Sequence, residues 1–218
     1  MFSDMTTMTK PKFVFDNDKH EYRLNDRLLP SVTEILRSLG FINPAWYTEE
    51  ARSRGKAVHV GCHYLDEGKL DWSTLHPDLH GYVKSWEAFK AQMEFKILDM
   101  ETPRYHPLYQ FAGTLDRRVV MPTGREWIFD LKTGKAPFWA KWQTAAYDLL
   151  ADADLGRQDR RRACVELHED GSLATMVDYN GYENLDDRST FLAFMTTHYQ
   201  RIKHCLLKME DTWSHRPT

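Results

Sequence analysis

Asp130-Leu131-Lys132 closes the apolar run Trp127-Ile128-Phe129, and Asp116 stands fourteen positions earlier, after Phe111-Ala112-Gly113-Thr114-Leu115. If both runs are strands, alternation puts Asp130 and Lys132 on one face and turns Leu131 into the core. Pairing through the turn Pro122-Thr123-Gly124 then sets Asp116 beside Asp130. Two ionised carboxylates at close range repel, which is costly in a protein interior unless a cation lies between them. Mg²⁺ or Mn²⁺ suits such a site, because a hard cation with few protein oxygens keeps room for water and phosphate oxygens. The chemistry that follows is activation of water and neutralisation of charge on a phosphoryl group. Lys132 would orient or deprotonate that water and stabilise the same charge, making Asp116, Asp130 and Lys132 the catalytic candidates.

The elements that must position these groups are read from periodicity. Lys12 to Leu29 alternates apolar and polar residues around Asp16-Asn17-Asp18 and reads as a hairpin, the core of an N-terminal extension over 1–30. Ser31-Val32-Thr33-Glu34 after Pro30 is a capping-box pattern opening a helix to about Gly40. A helix from Thr48 to Gly68 presents Ala51, Gly55, Val58, Cys62 and Leu65 on one face, and another from Asp78 to Ile97 buries Leu79, Val83, Trp86, Phe89 and Met93. Strands over Tyr109 to Met121 and Glu126 to Leu131 precede a helix from Pro137 to Leu150, with Trp139, Trp142, Ala146 and Leu149 as its apolar stripe. Strands at Ala163 to Leu167 and Leu173 to Tyr179 flank the turn Glu169-Asp170-Gly171, and a final helix begins at Asp187 and runs to about Met209, in a C-terminal segment 187–211. This order predicts an α/β or α+β fold, a mixed central sheet flanked by helices, in one domain whose core spans 48–180.

Composition limits the alternatives. The 218 residues are 42% hydrophobic and 13% aromatic with seven Trp, enough for one well-buried core. No apolar run reaches the roughly 18 residues of a membrane span, and residues 1–12 carry no secretory or transit pattern, so a cytoplasmic protein without a membrane partner is expected. Three widely spaced Cys without a CxxC pair argue against a disulfide framework and a zinc ribbon. The net charge is -3, so any nucleic-acid partner would have to be held by a local basic surface. Thr102 to Thr144 offers one, with seven Lys or Arg against three acids; Arg117 and Lys135 of this set are expected to contact DNA. Arg157, Arg160, Arg161 and Arg162 either follow a phosphate backbone or form a solvated loop. Trp139 and Trp142 suit core packing better than base stacking.

Gly113-Thr114-Leu115-Asp116, Asp130-Leu131-Lys132-Thr133-Gly134 and Gln143-Thr144-Ala145-Ala146-Tyr147, with Arg54-Gly55-Lys56-Ala57-Val58-His59 ahead of them, resemble the RecB-like branch of the PD-(D/E)XK nucleases. That branch includes lambda exonuclease and the mitochondrial genome maintenance exonuclease. Leu29 to Leu36 is similar to the opening of phage and mitochondrial members, so the resemblance covers residues 29 to 150. It implies the restriction-endonuclease-like core, with His59, Asp116, Asp130 and the main-chain carbonyl of Leu131 as metal ligands and Lys132 as the catalytic lysine. Gln143 and Tyr147, four apart on one helix face, would touch the DNA backbone or position the site. Glu101 takes a supporting role on a strand before the Gly-Asp motif. Leu115 stands where the family name has Pro, and the four Cys that carry an iron-sulfur cluster in some relatives are missing, so no cluster is expected.

His59 and His63 form an HxxxH pair, but Val60 replaces the Glu of HExxH, which removes the general base of a zinc peptidase. The expectation is a Mg²⁺- or Mn²⁺-dependent deoxyribonuclease, an exonuclease of phage or bacterial DNA replication, recombination or repair. The rivals are a structure-selective or single-strand endonuclease and an inactive DNA-binding module. No Walker A sequence is present, so a helicase, single-strand-annealing or other recombination protein would have to supply unwinding.

Overall fold

The computed structural model describes residues 11–207. At the N-terminus, β1 (Phe13–Asp16), β2 (Glu21–Leu24) and β3 (Arg27–Leu29) form an antiparallel three-stranded sheet, one strand more than the expected hairpin. Tyr22 stacks on Phe15 and its hydroxyl meets Thr114 Oγ1 at 2.8 Å, tying this sheet to the larger one. The capping box is present. Ser31 Oγ accepts from Glu34 N at 3.1 Å and Glu34 Oε2 accepts from Ser31 N at 2.8 Å, opening α1 (Val32–Ser38). Thr48 caps α2 (Glu49–Asp66), which is followed by α3 (Pro77–Met93).

The main sheet has the order β4 (Lys96–His106), β5 (Phe111–Val120), β6 (Glu126–Lys132), β7 (Arg161–Glu166), β8 (Thr175–Asp178). Its pairings are antiparallel except β6 with β7. Those two strands run parallel because α4 (Ala140–Leu155) carries the chain back across the sheet between them. Two apolar clusters cover the two faces. One joins α1, α4 and α5 (Asp187–Lys203) to Phe111, Leu115, Ile128 and Cys164; the other joins α2 and α3 to Val119, Trp127, Phe129 and Leu131. The fold is thus a mixed α+β arrangement with helices on both faces of a five-stranded mixed sheet.

Two differences from the sequence reading have local causes. The helix expected to reach Ile97 stops at Met93, where Glu94 adopts a left-handed cap with φ +52°, and the chain then enters β4, whose alternation of apolar and polar residues is weak. The last helix closes at Lys203, and Met209 lies outside the described residues. The arginine run is a third correction. Arg160 is buried against Glu126 and Asp152 at 3.0 and 2.7 Å, and Arg162 against Asp187 at 3.0 Å, so neither is a solvated loop residue or a phosphate contact.

The α2–α3 layer is held close to the sheet's far turn by Gly81. A Cβ built there would lie 1.5 Å from the Glu169 carbonyl oxygen, a backbone atom that cannot step aside. Alanine in a helix interior gains about 1 kcal/mol over glycine, while overpacking costs about 1–3 kcal/mol or more. Gly81→Ala is therefore expected to lower the denaturant midpoint of unfolding; an unchanged or raised midpoint would show that α3 and the 169–171 turn can separate freely.

Candidate active site

Asp130, Leu131 and Lys132 alternate as expected. Leu131 joins the cluster under α2 and α3, while Lys132 Nζ lies 2.6 Å from Asp130 Oδ2. The same ammonium donates to Gln143 Oε1 at 3.0 Å and sits 5.4 Å from the Trp139 ring centroid. Gln143 Nε2 in turn donates to the Tyr147 hydroxyl at 2.8 Å. Both side chains are buried, so Gln143 and Tyr147 hold Lys132 in place and do not form a DNA-facing pair. Burial alone would weaken the charge of Lys132, but the Asp130 carboxylate more than offsets it and keeps the ammonium protonated well above its ordinary range. Lys132 is thus held in place as a cation, suited to orienting water and stabilising negative charge.

Gly113 explains how α4 comes this near. A Cβ on it would meet Tyr147 Cε1, Leu150 Cδ1 and Val32 Cγ2 at 3.1 Å each, tighter than side chains ordinarily tolerate.

Strand β5 changes face at Asp116. Leu115 belongs to the α1/α4 cluster, whereas Arg117 binds Asp66 of α2 and Val119 belongs to the α2/α3 cluster. Opposite this point the β4 register passes from Met100–Arg117 to Thr102–Leu115 around Glu101, whose backbone takes the left-handed φ +45°. A non-glycine residue there stores strain of order 1–3 kcal/mol, which the surroundings must hold. The consequence is a donor group: His59, Glu101 and Asp116 each place a ligand atom within 4.8 Å of the others. His59 Nδ1 lies 3.6 Å from Glu101 Oε1 and 3.7 Å from Asp116 Oδ2, while Asp116 Oδ2 also accepts the Leu131 amide at 2.7 Å.

Glu101 therefore belongs to the donor group itself and not to a supporting position. Asp130 does not enter that group; its Oδ2 is taken by Lys132 and by the Cys164 thiol, which donates at 3.3 Å. The Leu131 carbonyl, expected as a metal ligand, accepts from His59 Nε2 at 3.1 Å. Because a carbonyl can only accept, this contact assigns the proton to Nε2 and leaves Nδ1 aimed at the carboxylates. That is the usual arrangement of a metal-ligating histidine, whose outer N–H is held by a backbone carbonyl or carboxylate. With two carboxylates completing an oxygen-rich set, the residues fit a hard divalent cation. His63 turns to Glu67 at 3.4 Å and plays no part. Lys135 is exposed on the loop leading from Lys132 to α4. Arg117, expected on DNA, is fully buried beneath the site, which excludes that contact. Asp66, Cys164 and Trp139 are the neighbours that sequence reasoning did not place here, and no spacing in the chain marks them.

The protonation states follow from crowding. Asp116 is pushed up to about 7, by burial first; the His59 charge opposes this, while the Asp130 and Glu101 charges add to it. Burial works against a charged His59, but Asp116 and Glu101 outweigh it and raise the imidazole to about 9. Glu101 stays below its ordinary value, since its hydrogen bond with His59 and the charges of His59 and Arg117 overcome burial.

No protein-family model matches the chain, and no curated protein matches it. Among solved structures, SSO0001 is similar at 15% identity with a TM-score of 0.36, over 77% of this chain and 82% of its own. LHK-Exo, solved in complex with dAMP, is similar at 13% identity with a TM-score of 0.37, over 81% of this chain and 91% of its own. Likenesses this loose assign neither fold nor activity, so the functional case rests on the side chains.

A cation seated among these donors must displace the protons they carry, on His59 up to about 9 and on Asp116 up to about 7. Mn²⁺ affinity is therefore expected to climb from mildly acidic pH towards 9, by up to about tenfold per unit for each proton released. Calorimetric titration in buffers of different ionisation enthalpy reads the proton count directly; binding with no proton release would show that these groups are not the ligands.

Proposed function

We propose that the chain is a metal-dependent deoxyribonuclease of the RecB-like PD-(D/E)XK type, hydrolysing DNA phosphodiester bonds and acting as an exonuclease. The observation that carries the reading is the meeting of His59, Glu101 and Asp116 beside the fixed Asp130–Lys132 pair. These are the groups named by the motif resemblance, brought together from α2, β4, β5 and β6. His59, Glu101 and Asp116 would hold Mg²⁺ or Mn²⁺, with Asp130 as a further carboxylate beside them. When bound, such an ion supplies positive charge to the scissile phosphate and lowers the pKa of water. Lys132 orients the attacking water and faces the charge that builds on phosphorus, held for that task by Asp130, Gln143 and the Trp139 ring. Gln143 and Tyr147 prevent the ammonium from swinging away, and the exposed Lys135 would meet the substrate backbone. The Leu131 carbonyl acts in this reading through His59.

Purified protein incubated with end-labelled DNA, with and without Mg²⁺, tests the proposal. Terminal mononucleotides that appear only with metal are expected. Internal fragments would make it an endonuclease, and binding without products a catalytically inactive module of the same architecture. Lys132→Gln keeps a donor for buried Asp130 but removes its neutralising charge, so its melting temperature should fall while the circular dichroism spectrum of the folded protein stays native-like. Its turnover is expected to drop by about 10² to 10³, the usual loss for one preorganised charge-stabilising group. Near-normal turnover in that variant would remove Lys132 from the chemistry.

A further inference from the structure

We infer that Asp66 and Arg117 form a buried relay that fixes the Glu101 carboxylate for a divalent ion shared with His59 and Asp116. This rests on the metal reading above, and both are positioning residues.

The relay begins at the last residue of α2, the helix that also carries His59 two turns earlier. Asp66 Oδ1 accepts from Trp86 Nε1 at 2.9 Å and from Lys90 Nζ at 2.6 Å, and Oδ2 accepts from Arg117 Nε at 2.7 Å. The guanidinium then reaches forward: Nη1 donates to Glu101 Oε1 at 3.0 Å and to the Asp116 carbonyl at 2.7 Å. The side chains of Asp66 and Arg117 are both 0% exposed.

Charge accounting separates a relay from a simple structural ion pair. Asp66 alone would balance Arg117, and a neutral buried pair would need nothing further. Lys90, whose side chain is 27% exposed, adds a second cation to the same carboxylate, so Asp66 divides its charge between two partners and leaves part of the buried Arg117 charge uncompensated. That charge is met at Glu101, the residue whose φ of +45° must be held by its surroundings. Arg117 Nη2 finds no hydrogen-bond partner among the described residues, so the guanidinium is committed through Nε and Nη1 to this one line of contacts. Swinging Arg117 away would free Glu101 to leave the donor group.

The test uses Asp66→Asn, which keeps the size of the side chain and removes its charge. Calorimetric titration with Mn²⁺ is expected to show binding weakened by about 10- to 100-fold, the usual cost of losing an outer partner of a ligand. In cleavage assays the half-saturating metal concentration should rise by the same factor, while the rate at saturating metal changes far less. A merely structural role would lower the melting temperature without moving the metal affinity of the folded fraction. In a Glu101→Gln background, Asp66→Asn should have no further effect on Mn²⁺ affinity, since the relay then has nothing to position. Wild-type affinity in folded Asp66→Asn, or an equal loss in both backgrounds, overturns the relay while leaving the metal site intact. Wild-type protein that takes up no Mn²⁺ overturns the metal reading, and the relay falls with it. Should Asp66→Asn fail to fold, the Arg117 Nε–H resonance of the wild type is followed as Mg²⁺ is added. It should move with the midpoint that calorimetry gives for Mg²⁺, and a signal that stays in place overturns the relay.

Discussion

Acidic side chains gathered where β4, β5 and β6 meet can stay ionised only beside compensating positive charge, and the placement of that charge organises the centre of the molecule. Compensation comes from both sides of the sheet. On the α4 side Lys132 is pressed against Asp130 and steadied by Gln143. On the α2 and α3 side Arg117 reaches Glu101 and the Asp116 backbone. Between them His59 faces Glu101 and Asp116, and in the absence of another cation its own proton fills that role.

The break in β5 makes this two-sided arrangement possible. A strand of strict alternation would send Leu115 and Arg117 to the same face. Instead Leu115 joins α1 and α4, and Arg117 turns under α2. The left-handed residue opposite, Glu101, presents its carboxylate at the crossing point. Strain and charge are thus concentrated at one location, with close-packed apolar clusters above and below to hold it.

A second charged network explains why several arginines of the basic stretch do not reach the surface. Asp99 accepts from Arg104 and Arg118, Glu126 from Arg118 and Arg160, and Asp152 from Arg160 and Arg188. These contacts stitch the β4–β6 part of the sheet to α4 and α5. Arginines that count as positive charge along the chain are consumed as struts, and Lys135 is left among the cations open to solvent near the site. Ion pairs buried in this way add little net stability, because desolvation offsets most of the Coulombic gain.

The chain alone determined most elements and the lysine pair, because those follow from local rules. The Ser31–Glu34 box, the pleat that sets Asp130 and Lys132 on one face, the hairpin turn after Met121 and the spacing of Gln143 and Tyr147 all depend on residues a few positions apart. Motif resemblance added His59 as a metal-ligand candidate, and Glu101 and the carbonyl of Leu131 without the parts those two play. Only the tertiary structure decided that Glu101 joins His59 and Asp116, that the Leu131 carbonyl serves the imidazole, and that Arg117, Arg160 and Arg162 are interior. Those outcomes turn on a strand switching faces and on partners tens of residues distant, such as Asp66 for Arg117 and Asp187 for Arg162. A charge carries no mark in the sequence of whether its partner will be water or a buried acid; the free energy that settles the choice exists only once the surrounding layers have closed.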